Sequence, residues 1–329
     1  ADEVEDEIER LMEPGQLDEL RAHPDFIGKA YRIEDAVGRY TVYLKSCVEK
    51  DAKFDGLKVV LDTANGAAYK IAPMVFSELG AEIIVINNQP DGKNINRSCG
   101  SLHTEGLRSK VIETGADCGI AYDGDADRVV MCDENGIVFD GDSVLAFLAS
   151  VMLNKGTLTG GGVVGTVMSN LGLEVGLREM GLKLYRSAVG DRYVLAEMLK
   201  RRINLGGEQS GHIIALDHNT TGDGILTSLL VCAEMIRAGR PLSSYQSIIN
   251  RYPQKLVNLK VGEKKPLDSL YEFQKCLSSC DAELGDKGRV LVRYSGTENL
   301  VRVMVEAEDA VVCDRSVERL VEALKAELG

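Results

Sequence analysis

The sequence predicts an α/β protein in which two successive βαβ-containing α/β domains of like topology are followed by a smaller α+β C-terminal domain. Three observations predict it. An apolar run at Lys58–Asp62, a turn at Asn65-Gly66, a helical stretch to Leu79 stopped by Gly80, and a second apolar run at 81–86 spell strand, helix, strand. Such a unit is expected to be parallel and right-handed. The order recurs about a hundred residues later, with strands at 163–167 and 182–185 around a helix near 174–180 that Gly181 stops. The turns differ in length, so these are two domains of like topology rather than a short-period repeat. After Tyr252-Pro253 the pattern changes to strands at 255–261, 289–294 and Leu300–Ala307, with helices at 267–277 and 309–328.

Composition bounds the partners. The 329 residues carry a net charge of −13, but residues 1–20 hold nine acids against one base, which leaves only −5 for the rest. No basic face suited to neutralising several phosphates is visible, so nucleic acid is not an expected partner. The longest apolar stretch, 144–153, is too short to cross a bilayer, and the acidic opening lacks the basic start of a secretory signal. A cytoplasmic protein with no membrane partner is expected. The eight cysteines show no C-x-x-C pair or zinc spacing and read as reduced, mostly buried thiols.

Three loops could carry chemistry. In Tyr122-Asp123-Gly124-Asp125-Ala126-Asp127-Arg128, between two apolar runs, three carboxylates at alternate positions can converge on one hard cation. An EF-hand is excluded because Arg128 stands where the sharp turn demands glycine and the flanks read as strands. An open Mg²⁺ site fits better, while a solvated acidic turn is the plain alternative. In Gly206-Gly207-Glu208-Gln209-Ser210-Gly211-His212, the glycines let backbone approach a ligand, and Glu208 and Ser210 offer groups that read sugar hydroxyls. His212 is the one histidine of four in a candidate site. In Arg293-Tyr294-Ser295-Gly296-Thr297-Glu298-Asn299, a guanidinium, two hydroxyls and the Gly296 amide have the composition of an anion seat. Each of the last two loops could instead be a simple turn. At Gly190-Asp191-Arg192, Asp191 reads as a helix cap and Arg192 as a substrate contact, with neither preferred.

Together the loops resemble the α-D-phosphohexomutase superfamily from about residue 33 to the C-terminus: "DGDADR" resembles its magnesium loop, "GEQSGH" its sugar loop and "RYSGTE" its phosphate loop. "PDGKNIN", "CGSLH", "GTVMSNLGLE", "VGDRYV", "TTGDG" and the glutamine of the sugar loop resemble the phosphoglucosamine mutase branch rather than the phosphomannomutase/phosphoglucomutase one. The resemblance implies that Asp123, Asp125 and Asp127 hold Mg²⁺ with Arg128 beside the reacting centre. It implies that Glu208, Ser210, His212 and Arg192 contact substrate, and that Arg293, Ser295, Gly296 and Thr297 hold the phosphate not being transferred. The expected ligands are a hexosamine phosphate and its 1,6-bisphosphate, and a homodimer is left open.

Members of the superfamily bear a catalytic phosphoserine in an S-H-N-P or A-S-H-N string of an N-terminal domain. No such string occurs here, so this chain alone is expected to be inactive. On this reading 1–33 is the remnant of that domain and a linker, 34–138 the magnesium-loop domain, 139–252 the sugar-loop domain and 253–329 the phosphate-binding domain. A phosphohydrolase using Asp123 as nucleophile and a sugar-phosphate-binding fragment are the readings from other classes.

Overall fold

The computed structural model describes residues 2–32, 35–49, 52–295 and 298–328. It comprises two compact units, Ala1–Arg39 and Tyr40–Gly329. The first unit holds helix α1 (Asp2–Leu11), on which Arg10 pairs with Glu7 one turn earlier, and two short 3-10 turns. Helix α2 (Ala36–Ser46) spans the division.

In the second unit, β1 (Lys58–Asp62), α3 (Ala68–Glu78), β2 (Glu82–Ile86), α4 (Glu105–Thr114), β3 (Cys118–Tyr122), β4 (Val129–Asp133) and β5 (Val138–Phe139) form one layered domain. Its sheet order is β2-β1-β3-β4-β5, with β2, β1 and β3 parallel and β4 and β5 antiparallel. Val59, Val60 and Leu61 of β1 are all fully buried, as a central parallel strand covered on both faces requires.

The next domain repeats the plan with α5 (Gly141–Lys155), β6 (Gly162–Thr166), α6 (Leu171–Glu179), β7 (Lys183–Ser187), α7 (Asp191–Arg201), β8 (Leu205–Gly207), β9 (Ile213–Ala215) and α8 (Gly224–Ala238). Its order, β7-β6-β8-β9 with only β9 antiparallel, matches the first four strands of the preceding sheet position for position. The like topology expected from the two strand-helix-strand blocks is thus present.

The last domain is an antiparallel sheet, β10 (Gln254–Lys260), β12 (Leu300–Ala307) and β11 (Gly288–Tyr294), with α9 (Tyr271–Leu284) and α10 (Ala310–Leu328). Helix α9 starts four residues later than the apolar spacing suggests, because Pro266 opens a 3-10 turn at Leu267–Ser269 instead. Val301, Val303 and Val305 of β12 are buried in a core with Phe273, Leu320 and Leu324, whereas Leu300, Arg302, Met304 and Glu306 alternate onto the other face. One main core runs through both α/β domains, each of which also has a smaller cluster, and the last domain has its own. It therefore meets its neighbour through the outer face of its sheet. No helix among the described residues is long and apolar enough to cross a membrane.

Candidate active site

The acidic loop joins β3 to β4, whose ladder closes at Tyr122 and Val129. Ala126 adopts a left-handed conformation (φ 65°), and its amide donates to the Asp123 carbonyl, folding the loop back on itself. One carboxylate oxygen from each of Asp123, Asp125 and Asp127 then lies within 4.8 Å of the others. Neighbours on both sides fix this shape. The Ala67 amide donates to the Gly124 carbonyl, the Gly224 amide at the start of α8 donates to the Ala126 carbonyl, and Val129 N–H donates to the Gly211 carbonyl. Gly66 is obligatory here, since a Cβ on it would stand 2.2 Å from the Gly124 carbonyl oxygen.

The electrostatics call for a cation. Burial, then the hydrogen bond and charge of Asp127 and the charge of Asp125, push the Asp123 carboxyl up to about 7. Burial also works against ionised Asp127, but hydrogen bonds from Asp123 and His212 and the Arg128 charge outweigh it and hold that group low. The Arg128 Nε lies 3.9 Å from a carboxylate oxygen of each, beyond hydrogen-bond range. Asp127 Oδ1 and Arg128 Nε are buried without a hydrogen-bond partner. Three converging carboxylates with unsatisfied oxygen capacity fit a hard divalent ion, which would complete its shell with water or phosphate oxygen.

The second loop connects β8 to β9. Its glycines permit close passage: a Cβ on Gly211 (φ +98°) would stand 2.1 Å from the Val129 carbonyl. Glu208 is almost buried, its Oε1 accepting from Gly190 N–H at 3.0 Å and its Oε2 from the Ser210 hydroxyl at 3.3 Å. Arg128, Glu208, Gln209 and Ser210 line one open cleft of about 510 Å³ with Thr166, Met168, Val189, Asp140 and Arg251. Arg251 pairs with Asp140 at 2.8 Å in its wall.

Of the residues expected beside substrate, one is turned inward. His212 is 2% exposed. Its Nε2 accepts from Gly222 N–H at 3.0 Å, which places the ring proton on Nδ1, and Nδ1 lies 2.9 Å from Asp127 Oδ2. Both ring nitrogens are thus engaged inside the protein, one of them on the acidic loop. Arg192, the second residue of α7, donates to the Tyr193 hydroxyl and lies 4.7 Å from that ring. Gly190 is the N-cap of α7, so Asp191 is its first residue and caps nothing; the Asp191 side chain accepts instead from the next amide.

In the last domain, Arg293 ends near a small hollow of about 20 Å³ lined by Met168, Leu256, Leu291, Arg302 and Met304. Ser295 is buried, its hydroxyl accepting from Glu298 N–H and its carbonyl from Lys264 Nζ at 2.7 Å. Gly296 and Thr297 lie outside the described residues. Met168 borders both this hollow and the large cleft, so the strand bearing Arg293 adjoins the cleft that holds Glu208 and Arg128.

Sequence reasoning missed Arg302 and Lys264. Arg302 stands directly across from Arg293, and its Nε is buried without a partner. Like charges at directly opposed positions repel, and Glu298, 3.9 Å from Arg302 Nη2, offsets only part of that charge. The signal was available: in a hairpin closing symmetrically on residues 295–300, position 293 must pair with 302.

Sequence models described as Phosphoglucomutase/phosphomannomutase match as alpha/beta/alpha domain II over residues 38–136, alpha/beta/alpha domain III over 140–253 and the C-terminal domain over 256–323. The chain belongs to this family, the α-D-phosphohexomutases. More narrowly, it falls with the phosphoglucosamine mutases: it is 52% identical to that of Geotalea daltonii over 94% of this chain and 68% of the relative. It is 48% identical to that of Myxococcus xanthus over 100% and 72%. Among solved structures, a phosphoglucomutase/phosphomannomutase family protein from Burkholderia thailandensis superposes with TM-score 0.74 at 23% identity, covering 90% of this chain and 66% of that one. The Aspergillus fumigatus N-acetylphosphoglucosamine mutase, solved with GlcNAc-6P and magnesium, gives 0.72 at 22% identity over 91% and 67%. At these identities the structural likeness concerns the fold, and the chain spans about two thirds of the length of the proteins it matches.

Proposed function

We propose that this chain carries the metal, sugar and phosphate sites of a mutase interconverting glucosamine 6-phosphate and glucosamine 1-phosphate. In that reaction a phosphoserine gives its phosphoryl group to the sugar phosphate, the 1,6-bisphosphate turns round, and the other phosphate returns to the serine. One observation carries the reading. Arg128, next to the three aspartates, and Glu208 and Ser210 of the sugar loop line the same cleft, and Met168 joins that cleft to the Arg293 hollow. A hexosamine bearing a phosphate at either end needs such a row of sites.

Asp123, Asp125 and Asp127 would hold Mg²⁺, which neutralises phosphoryl charge. Arg128 would add a cation at the same place. Glu208, already oriented by Gly190, and Ser210 would take sugar hydroxyls in either orientation of the bisphosphate. Arg293 and Arg302 would grip the phosphate not undergoing transfer, with Ser295, Gly296 and Thr297 completing the seat. Catalysis then rests on positioning and charge neutralisation. The reading places the reaction in the cytoplasm, which the eight free cysteines suit.

Because the sequence lacks the family's phosphoserine string, the test is binding. Calorimetry with Mg²⁺ present should show glucosamine 6-phosphate bound more tightly than mannose or glucose 6-phosphate. Equal affinities would favour a broader phosphohexomutase. No binding of any of the three would remove the reading, and net release of inorganic phosphate would point to a hydrolase instead.

A further inference from the structure

The outer face of the last domain's sheet carries Arg289, Leu291 and Arg293 on β11 and Arg302, Met304 and Glu306 on β12, with Arg289 directly across from Glu306 and Arg293 across from Arg302. The Arg293 end holds the phosphate seat. The Arg289 end does something else. Glu306 is fully buried, and its oxygens accept from Arg289 Nε, from the Leu171 amide at 3.1 Å and from Asn170 Nδ2 at 3.2 Å. Leu171 is the first residue of α6, in the sugar-loop domain, so a carboxylate from one domain satisfies the exposed amide end of a helix in the other. Arg289 donates in the same direction, to the Val167 and Ser169 carbonyls at 3.0 and 2.7 Å. Asn170 caps α6 through Gly172 N–H, and its own amide donates to buried Asp142, whose neighbour Gly141 donates to the Gln209 carbonyl of the sugar loop.

We infer that Glu306, with Arg289 and Asn170, is a positioning joint that sets the distance between the phosphate seat and the sugar loop, and that it contributes to affinity only for ligands spanning both. The joint lies about 20 Å along the strand from Ser295, taking roughly 3.3 Å per residue. Between them the two domains adjoin at the hollow beside Met168 and Met304. A hairpin anchored at the joint transmits any error there to the seat. Loss of Glu306 also leaves Arg289 beside Arg186, with both guanidiniums donating to the Ser169 carbonyl.

The inference rests on the mutase reading for its ligand, but hydrogen exchange tests the joint without it. In Glu306→Ala, exchange at the Leu171 and Gly172 amides should rise at least about tenfold while the β10–β12 ladder stays protected. Glucosamine 6-phosphate, which spans both domains, should bind about tenfold more weakly, and inorganic phosphate, which needs only the seat, within about twofold of wild type. Glu306→Gln, which keeps an acceptor for Leu171, should recover part of the loss. Should Glu306→Ala fail to fold, Asn170→Ala, which removes the partner from the other side, must give the same split. Unchanged exchange, or equal loss of both ligands, overturns the joint. If wild type binds neither ligand, the mutase reading falls and the exchange result alone decides.

Discussion

His212 Nδ1 lies 2.9 Å from Asp127 Oδ2, tying the sugar loop of one domain to the acidic loop of another. With Nε2 committed to Gly222 N–H, the ring can only donate to that carboxylate. It orients one oxygen of Asp127 and leaves the other, Oδ1, without a hydrogen bond and free to take a cation. Replacing it by phenylalanine should weaken Mg²⁺ binding roughly tenfold to a hundredfold, as loss of such a supporting partner commonly does. Calorimetric titration decides between roles: a larger loss for glucosamine 6-phosphate than for Mg²⁺ would return His212 to direct substrate contact.

Asp125→Asn and Arg293→Ala should fail in opposite ways. The first removes a carboxylate from the cluster and should abolish most Mg²⁺ affinity, leaving sugar-phosphate binding measured without metal nearly intact. The second should weaken hexose phosphate by about 2 kcal/mol, the loss of a charge-assisted pair, with Mg²⁺ binding unaltered. Parallel losses in both variants would contradict the separation of metal and phosphate sites.

Arg302→Ala should resemble Arg293→Ala in phosphate affinity while costing little stability, because removing one of two facing like charges relieves repulsion. Phosphate titration with a melting curve on the same sample reads both. A drop in melting temperature with unchanged phosphate affinity would make Arg302 a packing residue only.

Gly66→Ala should destabilise the protein by about 1–3 kcal/mol, since its methyl would press on the Gly124 carbonyl and neither backbone has room to yield. Mg²⁺ affinity should fall with it, because Gly124 separates two of the ligands. Urea unfolding and metal titration test the pair, and a neutral effect on both would mean that the loop is more adaptable than these contacts imply.

Asp142 provides a pH test. Burial, then the charge of nearby Asp140, push its carboxyl up to about 7 from an ordinary 3.8, so the folded state favours the protonated form. The stability this group contributes is fully present below 3.8 and is lost as pH rises through about 7. Asp142→Asn cannot ionise and keeps an acceptor for the Asn170 amide. It should therefore gain on wild type between about pH 4 and pH 8, with the melting-temperature difference moving by about 2 °C or more in its favour. A difference constant with pH would show that Asp142 remains ionised throughout.

Periodicity and glycine placement were enough to draw β1, β2, β12 and the two repeated units, because a strand or helix signals itself over five to fifteen adjacent residues. The acidic loop and the two other candidate loops could also be picked out, each being a run of neighbouring residues between two strands. The family followed from their order. Even the facing arginines could have been read from hairpin symmetry.

Tertiary structure alone decided the rest. His212 and Asp127 are 85 positions apart, and Glu306 and Leu171 are 135 apart. Whether such pairs meet depends on how one sheet is set against another, which no local pattern encodes. That packing turned the histidine inward to the carboxylate, brought Met168 to the edge of two hollows, and placed the carboxylate of one domain on the helix end of its neighbour.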